Sequence, residues 1–280
     1  TNTYNITMSL SSRIDLLRLL CRHASERLIS HYMMLSRVAK PALTTERLNK
    51  LDRVIENRTD RVVIVCEMVK TPGNVAAIIR SCEAMGIQHV HVVDDQPYET
   101  FNDIAKGTEK WVSIHRHETT IECLDYLSRN GYRVWASDLS PGAEAFDELV
   151  RKQPPQHSID SNYSTTRDYG RIAVVFGNEG TGVSDEMKQL SDKRVFLPMC
   201  GMVQSFNVSV SVGMTLAYLK MQGVLAGTLS PLEKERLRAL WRIKSIPDHH
   251  LYYQRYNVPD HLQMFSNKAT LPFIPAASLS

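Results

Sequence analysis

Apolar positions along the chain follow two alternating rhythms. From residue 10 to residue 58, Leu10, Ile14, Leu17, Leu20 and Leu28, and later Leu48, Leu51, Val54 and Ile55, recur at helical spacing with arginines between them, which predicts helices. Arg61-Val62-Val63-Ile64-Val65-Cys66 breaks that rhythm with a continuous, largely β-branched run, the pattern of a strand covered on both faces. Thr71-Pro72-Gly73 predicts a turn, Asn74 an N-cap for a helix over Val75–Met85, and Gly86 the end of that helix. His89–Val93 reads as a strand, Ile121–Arg129 as a helix and Tyr132–Ala136 as another strand. Ile172–Phe176 and Val195–Leu197 add two more strands, and Val208–Leu219 an apolar helix. Strands alternating with helices predict an α/β fold: a mostly parallel sheet with helices on both faces.

Two strand-to-loop junctions stand out. The strand ending at Phe176 opens into Gly177-Asn178-Glu179-Gly180-Thr181-Gly182. The strand ending at Leu197 breaks at Pro198 into Met199-Cys200-Gly201-Met202-Val203-Gln204-Ser205-Phe206-Asn207. Loops so rich in glycine and uncharged polar groups suit a small-molecule site built largely from backbone. The stretch Lys152–Asp168 is polar, contains proline and lacks periodicity, and reads as an exposed loop. Ser230-Pro231 signals a helix start for the basic helix Leu232–Ile243, which is followed by the aromatic-basic segment His249–Tyr256.

Composition narrows the class. At 280 residues and 43% hydrophobic, the chain can bury one medium core with extensions. No run of about eighteen apolar residues occurs, so no membrane span is expected. The five cysteines, Cys21, Cys66, Cys82, Cys123 and Cys200, show neither a CxxC pair nor zinc spacing. Reduced thiols in a reducing compartment are therefore expected, with no metal. The first residue is Thr1, which leaves a preceding targeting peptide open and, with it, either the cytoplasm or the mitochondrial matrix. Net charge is +3, but both ends are basic and the middle is mildly acidic: residues 1–60 carry ten Lys/Arg against six Asp/Glu, and residues 226–280 seven against four. Terminal segments that meet a polyanion, or simply solvated amphipathic helices, both explain this. The chain accordingly divides into an N-terminal helical extension (1–60), a central domain (61–225) and a C-terminal basic helical extension (226–280).

Several common chemistries are excluded. Gly177–Gly182 has GxxxxG spacing rather than GxGxxG and sits deep in the chain, so a Rossmann site is not expected. GxxxxGK[ST], GxSxG and HExxH are all absent. What remains is Asn74-Val75-Ala76-Ala77-Ile78-Ile79-Arg80, then FGNEGTG, then LPMCGMVQSFNVSVSV. In this order and at these separations the three segments resemble the three motifs of the SpoU/TrmH family of the SPOUT superfamily, whose members are RNA ribose 2′-O-methyltransferases using S-adenosyl-L-methionine. The resemblance runs from about Asp60 to Gln222.

The resemblance implies a C-terminal deep trefoil knot near Ile172–Leu219 that holds the cofactor bent. By position it implies cofactor contacts from Ser137 and Leu139, from Phe176, Gly177, Asn178 and Glu179, from Leu197, Met199, Gly201 and Met202, and from Ser205, Phe206 and Asn207. It implies catalytic roles for Arg80, Asn74, Glu179, Ser205 and Asn207. Arg80 lies against the target ribose in the family and either assists deprotonation of the 2′-hydroxyl or stabilises the oxyanion; arginine's high pKa makes it a poor base. The partners implied are RNA, either tRNA (a D-loop guanosine) or rRNA, and a second subunit in a homodimer or a heterodimer with a paralogue. A ribosome assembly factor with little or no catalysis is the alternative. Arg13, Arg18, Arg22 and Arg27 at one end, and Arg236, Arg238, Arg242 and Lys244 at the other, are candidates for phosphate contact. His89 and His91 read as structural or exposed residues, and the Tyr252–Tyr256 cluster as packing or base-stacking groups. Cys200 lacks any activating neighbour.

Overall fold

The computed structural model describes residues 42–94, 107–152 and 170–246, together with a few helical positions between Ser30 and Arg37. The expected helices before residue 30, the polar loop beyond Lys152, the segment His249–Tyr256 and Cys21 lie outside the described residues. Among those described, residues 56–229 form one unit, and those before 56 and after 229 form another.

The larger unit is a seven-stranded sheet of β1 (Val62–Glu67), β2 (His89–Val93), β3 (Ser113–His117), β4 (Tyr132–Ser137), β5 (Glu144–Ala145), β6 (Arg171–Phe176) and β7 (Lys193–Phe196). Its order is β3-β2-β1-β6-β4-β7-β5, and every neighbouring pair is parallel. The alternation of the strands divides the core in two. Val62, Ile64, Cys66, Ile172, Val174 and Trp135 face one cluster; Val63, Val65, Ala173, Val175, Val134 and Ala136 face the other. Burial on both faces is why β1 and β6 read as unbroken apolar runs, and each fully buried Val or Ile there contributes about 1.5–3 kcal/mol.

On the first face pack α2 (Pro72–Met85), α4 (Phe146–Lys152) and α6 (Val208–Met221); on the second pack α3 (Thr120–Arg129) and α5 (Asp185–Leu190). The smaller unit contributes α1 (Thr45–Glu56) and α7 (Pro231–Lys244). The mostly parallel sheet with helices on both faces matches expectation. Helix α2 departs from it at its start. It begins at Pro72, with Thr71 in the N-cap position but making no side-chain capping bond, so Asn74 is an interior residue of the first turn and not the cap. Proline at the first helical position costs no hydrogen bond, because that N–H is unpaired in any helix. The far end agrees with the sequence: Gly86 takes φ 87 and sends its N–H back to Cys82 and Glu83.

Buried polar groups tie the elements together. Glu67, at the end of β1, accepts hydrogen bonds from Thr120 Oγ1 (2.6 Å), Ser184 N (2.8 Å) and Ser184 Oγ (2.7 Å), which fixes the starts of α3 and α5. His89 and His91 are buried on β2, not exposed. Burial, then the neighbouring His115, His117 and His89, holds the His91 ring well below its ordinary pKa.

Candidate active site

In a parallel sheet the carboxyl ends of all strands lie at one edge, and crevices for ligands open there. The loops after β4, β6 and β7 leave from that edge, and so does the start of α2 after β1. The loop after β6 is held by its own backbone: Asn178 and Gly182 exchange two N–H···O bonds of 2.9 Å each. Asn178 Oδ1 accepts from the N–H groups of Gly180 (2.8 Å) and Thr181 (3.1 Å), and its Nδ2 donates to the carbonyl of Met68 (2.9 Å). Met68 itself takes φ 52, rare for a side chain of this kind and located beside the loop. A Cβ on Gly177 would lie 2.2 Å from the carbonyl carbon of Gly182, so only glycine fits where the loop closes on itself.

Glu179 projects from this loop onto the first turn of α2. Its Oε1 accepts from Asn74 Nδ2 (2.8 Å) and the N–H of Thr71 (3.2 Å), and its Oε2 accepts from the N–H of Lys70 (3.1 Å). Burial by itself would raise the pKa of this carboxyl; the hydrogen bonds outweigh it and bring the pKa down to about 2. The charge of Glu179 adds to burial in pushing the Cys66 thiol at the end of β1 up to about 12. Asn74 has a second partner: its Oδ1 accepts from Asn207 Nδ2 (3.1 Å). Asn207 is the N-cap of α6, its own Oδ1 accepting from Ser209 N (2.9 Å) and Ser209 Oγ (2.6 Å). One hydrogen-bonded chain, Glu179–Asn74–Asn207, therefore joins three segments that lie far apart in sequence.

Arg80 lies on α2, six residues beyond Asn74, with its side chain exposed, and it is not bonded to Glu179, Asn74 or Asn207. Ser205 is exposed, two residues before the α6 cap, and the structure links it to none of the other candidates. The expected cofactor-contacting residues divide by burial. Phe176 and Gly177 are buried; Ser137, Asn178, Leu197, Met199 and Phe206 are half-buried; Leu139, Gly201 and Met202 are exposed, Met202 fully so. Leu197 also packs against the core cluster beneath.

Sequence reasoning missed two groups of residues here. Backbone N–H groups of Lys70 and Thr71 hold Glu179, and the Thr71-Pro72-Gly73 turn was their only signal. Arg194 on β7 shapes the loop after β4. Its Nη1 donates to Asp138 Oδ2 (3.1 Å) and Ser140 Oγ (2.9 Å), and its Nη2 to the Pro141 carbonyl (3.2 Å). Asp138 and Ser140 also bond each other through Ser140 Oγ and Oδ2. Burial would raise the Asp138 pKa, but its hydrogen bonds to Ser140, the Lys188 charge and the Arg194 bond together lower it. Leu139 sits at the tip of this braced loop.

The basic residues of α7 are largely engaged within their own unit. Arg238 and Arg242 both bond Asp52 on α1, at 3.2 and 3.3 Å, while Arg236 pairs with Glu233 and Arg238 also with Glu235. Their side chains are only 12–20% exposed. The sequence shows the cations but not the carboxylates that fold against them. Arg13, Arg18, Arg22 and Arg27 lie outside the described residues.

The fit of the site to a flat, partly apolar cofactor rests on this arrangement. The loop after β6 closes on itself at Gly177, Leu197, Met199 and Phe206 are half-buried, and nothing lies within 4 Å of the space a side chain on Gly201 would take.

Residues 61–217 match the SpoU rRNA Methylase family. The chain is 32% identical over 185 residues to the tRNA (guanosine(18)-2′-O)-methyltransferase of Thermus thermophilus, covering 66% of this chain and 87% of that protein. It is 26% identical over 166 residues to the 23S rRNA (guanosine(2553)-2′-O)-methyltransferase RlmP of Bacillus subtilis, covering 58% and 59%. Among solved structures, the A. aeolicus TrmH/SpoU tRNA modifying enzyme matches with a TM-score of 0.60 and 27% identity, covering 72% of this chain and 98% of that one.

Proposed function

The chain belongs to the SpoU rRNA methylase family, and from this we propose that it is an S-adenosyl-L-methionine-dependent RNA ribose 2′-O-methyltransferase acting on tRNA, at a D-loop guanosine. The hydrogen-bonded chain Glu179–Asn74–Asn207 carries the reading, because it unites the three motif segments at one edge of the sheet. When bound, the cofactor supplies an electrophilic methyl group. The loops at 137–139, 176–179 and 197–202, together with Ser205 to Asn207, hold it. Arg80 stabilises the developing 2′-oxyanion through a charge-assisted hydrogen bond. Asn74, Glu179, Ser205 and Asn207 orient the reacting groups.

The deep trefoil knot near residues 172–219 is part of the same proposal; family membership and the insertion of β6 and β7 between earlier strands support it. So is a twofold dimer, as a homodimer or with a paralogue. Helix α6 leaves Val210, Met214 and Met221 exposed, 41–80%, apolar surface that a second subunit would cover. The three-part division at 60 and 225, and a reducing compartment, cytoplasmic or mitochondrial, belong to the same proposal. No helix among the described residues is long and apolar enough to cross a membrane.

The deciding experiment is methyl transfer from labelled cofactor to tRNA and to rRNA transcripts, followed by nucleoside mass spectrometry. A 2′-O-methylguanosine in the tRNA D-loop is expected. Transfer to rRNA alone would move the substrate, a reading that the likeness to the Bacillus enzyme keeps in play. No transfer to any RNA, with the cofactor bound, would leave the assembly-factor reading.

A further inference from the structure

Away from this site, the β2–β3 edge of the sheet carries four buried histidines on one face. The register sets His91 opposite His115, so the contacts run diagonally: His89 Nδ1 meets His115 Nε2 at 2.9 Å, and His91 Nδ1 meets His117 Nε2 at 2.9 Å. Helix α3 covers this face and brings Cys123 to it. One ring nitrogen each of His91 and His117 and the Cys123 sulfur lie within 4.8 Å of one another, and all three residues are buried. We propose that His91, His117 and Cys123 form a structural site for a thiophilic d10 cation, Cu+ or Zn2+, which ties edge strand β3 to β2 and to α3.

Three observations converge on it. His91 Nδ1 and His117 Nε2 face each other at 2.9 Å, a distance with room for one shared hydrogen, and a cation in its place would use both lone pairs. His117 Nδ1 is buried without a hydrogen bond, and Glu122 Oε1 stands 3.9 Å from it. A ligating imidazole whose other N–H turns to a carboxylate is the arrangement that orients histidines on metals. The donor set of one sulfur and two imidazoles selects soft and borderline cations over Mg2+ or Ca2+. Three donors suit trigonal Cu+; Zn2+ would complete its tetrahedron with water. On binding, the Cys123 S–H bond breaks, a sulfur–metal bond forms, and the proton leaves to solvent. The ring holding the shared hydrogen moves it to its other nitrogen, and both rings stay neutral.

The test uses the full chain stripped of metal, titrated with Co2+ as a stand-in for Zn2+ and with Cu+ against a competing chelator. One cation per chain is expected, with a rise in the thermal midpoint. A sulfur-to-cobalt charge-transfer band identifies the Zn2+ class, and chelator-resistant Cu+ the copper class. Cys123→Ala and Cys123→Ser should abolish both, while Cys200→Ser, at an exposed thiol, should change neither. Glu122→Gln should weaken binding about 10–100-fold without removing it. X-ray absorption of the loaded wild-type chain, which needs no variant to fold, should show one sulfur and two nitrogen neighbours. Binding of neither cation, or binding that survives Cys123→Ala, overturns the proposal.

Discussion

Glu179 holds Asn74 by a 2.8 Å hydrogen bond from Nδ2 to Oε1, across a separation of 105 residues. Every donor to this carboxylate, Asn74 and the N–H groups of Lys70 and Thr71, favours an ionised acceptor. Its folded pKa, about 2, lies below the ordinary 4.5, so its contribution to stability is complete above 4.5 and lost as the pH falls towards 2. Glu179→Gln should therefore destabilise the fold near neutrality, and the gap to wild type should shrink through that acid window. Urea midpoints measured against pH read this directly. Parallel curves for the two proteins would show that the carboxylate is not held as described.

Gly177→Ala probes the loop rather than its charge. The new Cβ would meet the Gly182 carbonyl carbon at 2.2 Å, backbone against backbone, with no flexible side chain to yield. The loop must open, at a cost of about 1–3 kcal/mol for overpacking. We expect a lower thermal midpoint and a larger loss of cofactor affinity than Gly201→Ala produces, since a Cβ on Gly201 meets nothing within 4 Å. Equal affinities for the two variants would show that closure of the loop at Gly177 does not shape the cofactor site.

Asp52→Asn separates the two roles open to the α7 arginines. If Arg238 and Arg242 serve mainly to join α1 and α7, losing their shared carboxylate lowers stability by up to about 1 kcal/mol, the scale of partly exposed pairs. The salt dependence of RNA binding would then stay as in wild type. If instead these arginines are poised for phosphate, freeing them should steepen that dependence. Thermal melts and RNA titrations at several salt concentrations distinguish the outcomes.

The sequence revealed the elements whose burial leaves an apolar trace. β1 and β6 are apolar on both faces, and α6 is apolar nearly all round, so each reads at once. β3 was missed because its inward residues on one face are Ser113, His115 and His117, polar groups buried by pairing with β2. β5 has two residues and α5 six, too few to show a period. Asn74 was misplaced as a cap because a good capping residue and a good hydrogen-bonding residue are the same residue type; Pro72 was the better signal. The members of the Glu179–Asn74–Asn207 chain were legible through the order of the motifs, but their bonds were not, since residues 105 and 133 apart reveal contact only in the fold. The His91–His117–Cys123 group escaped for the same reason: no spacing rule covers ligands gathered from two parallel strands and a helix.

Arg80 provides the sharpest test of the chemistry. Arg80 is exposed on α2 beyond the Asn74 turn, so Arg80→Ala should leave stability within about 0.5 kcal/mol of wild type. If it stabilises the developing oxyanion, the loss should fall on turnover: about two to three orders of magnitude in kcat, the scale of a single oxyanion donor, with cofactor and RNA affinities nearly unchanged. Lysine retains the charge but not the planar fork, so Arg80→Lys should recover part of the rate. Single-turnover transfer at saturating RNA, alongside binding titrations of the same variants, makes the measurement. A kcat for Arg80→Ala close to that of wild type, or a loss confined to RNA affinity, would take Arg80 out of the chemical step and leave it a docking residue.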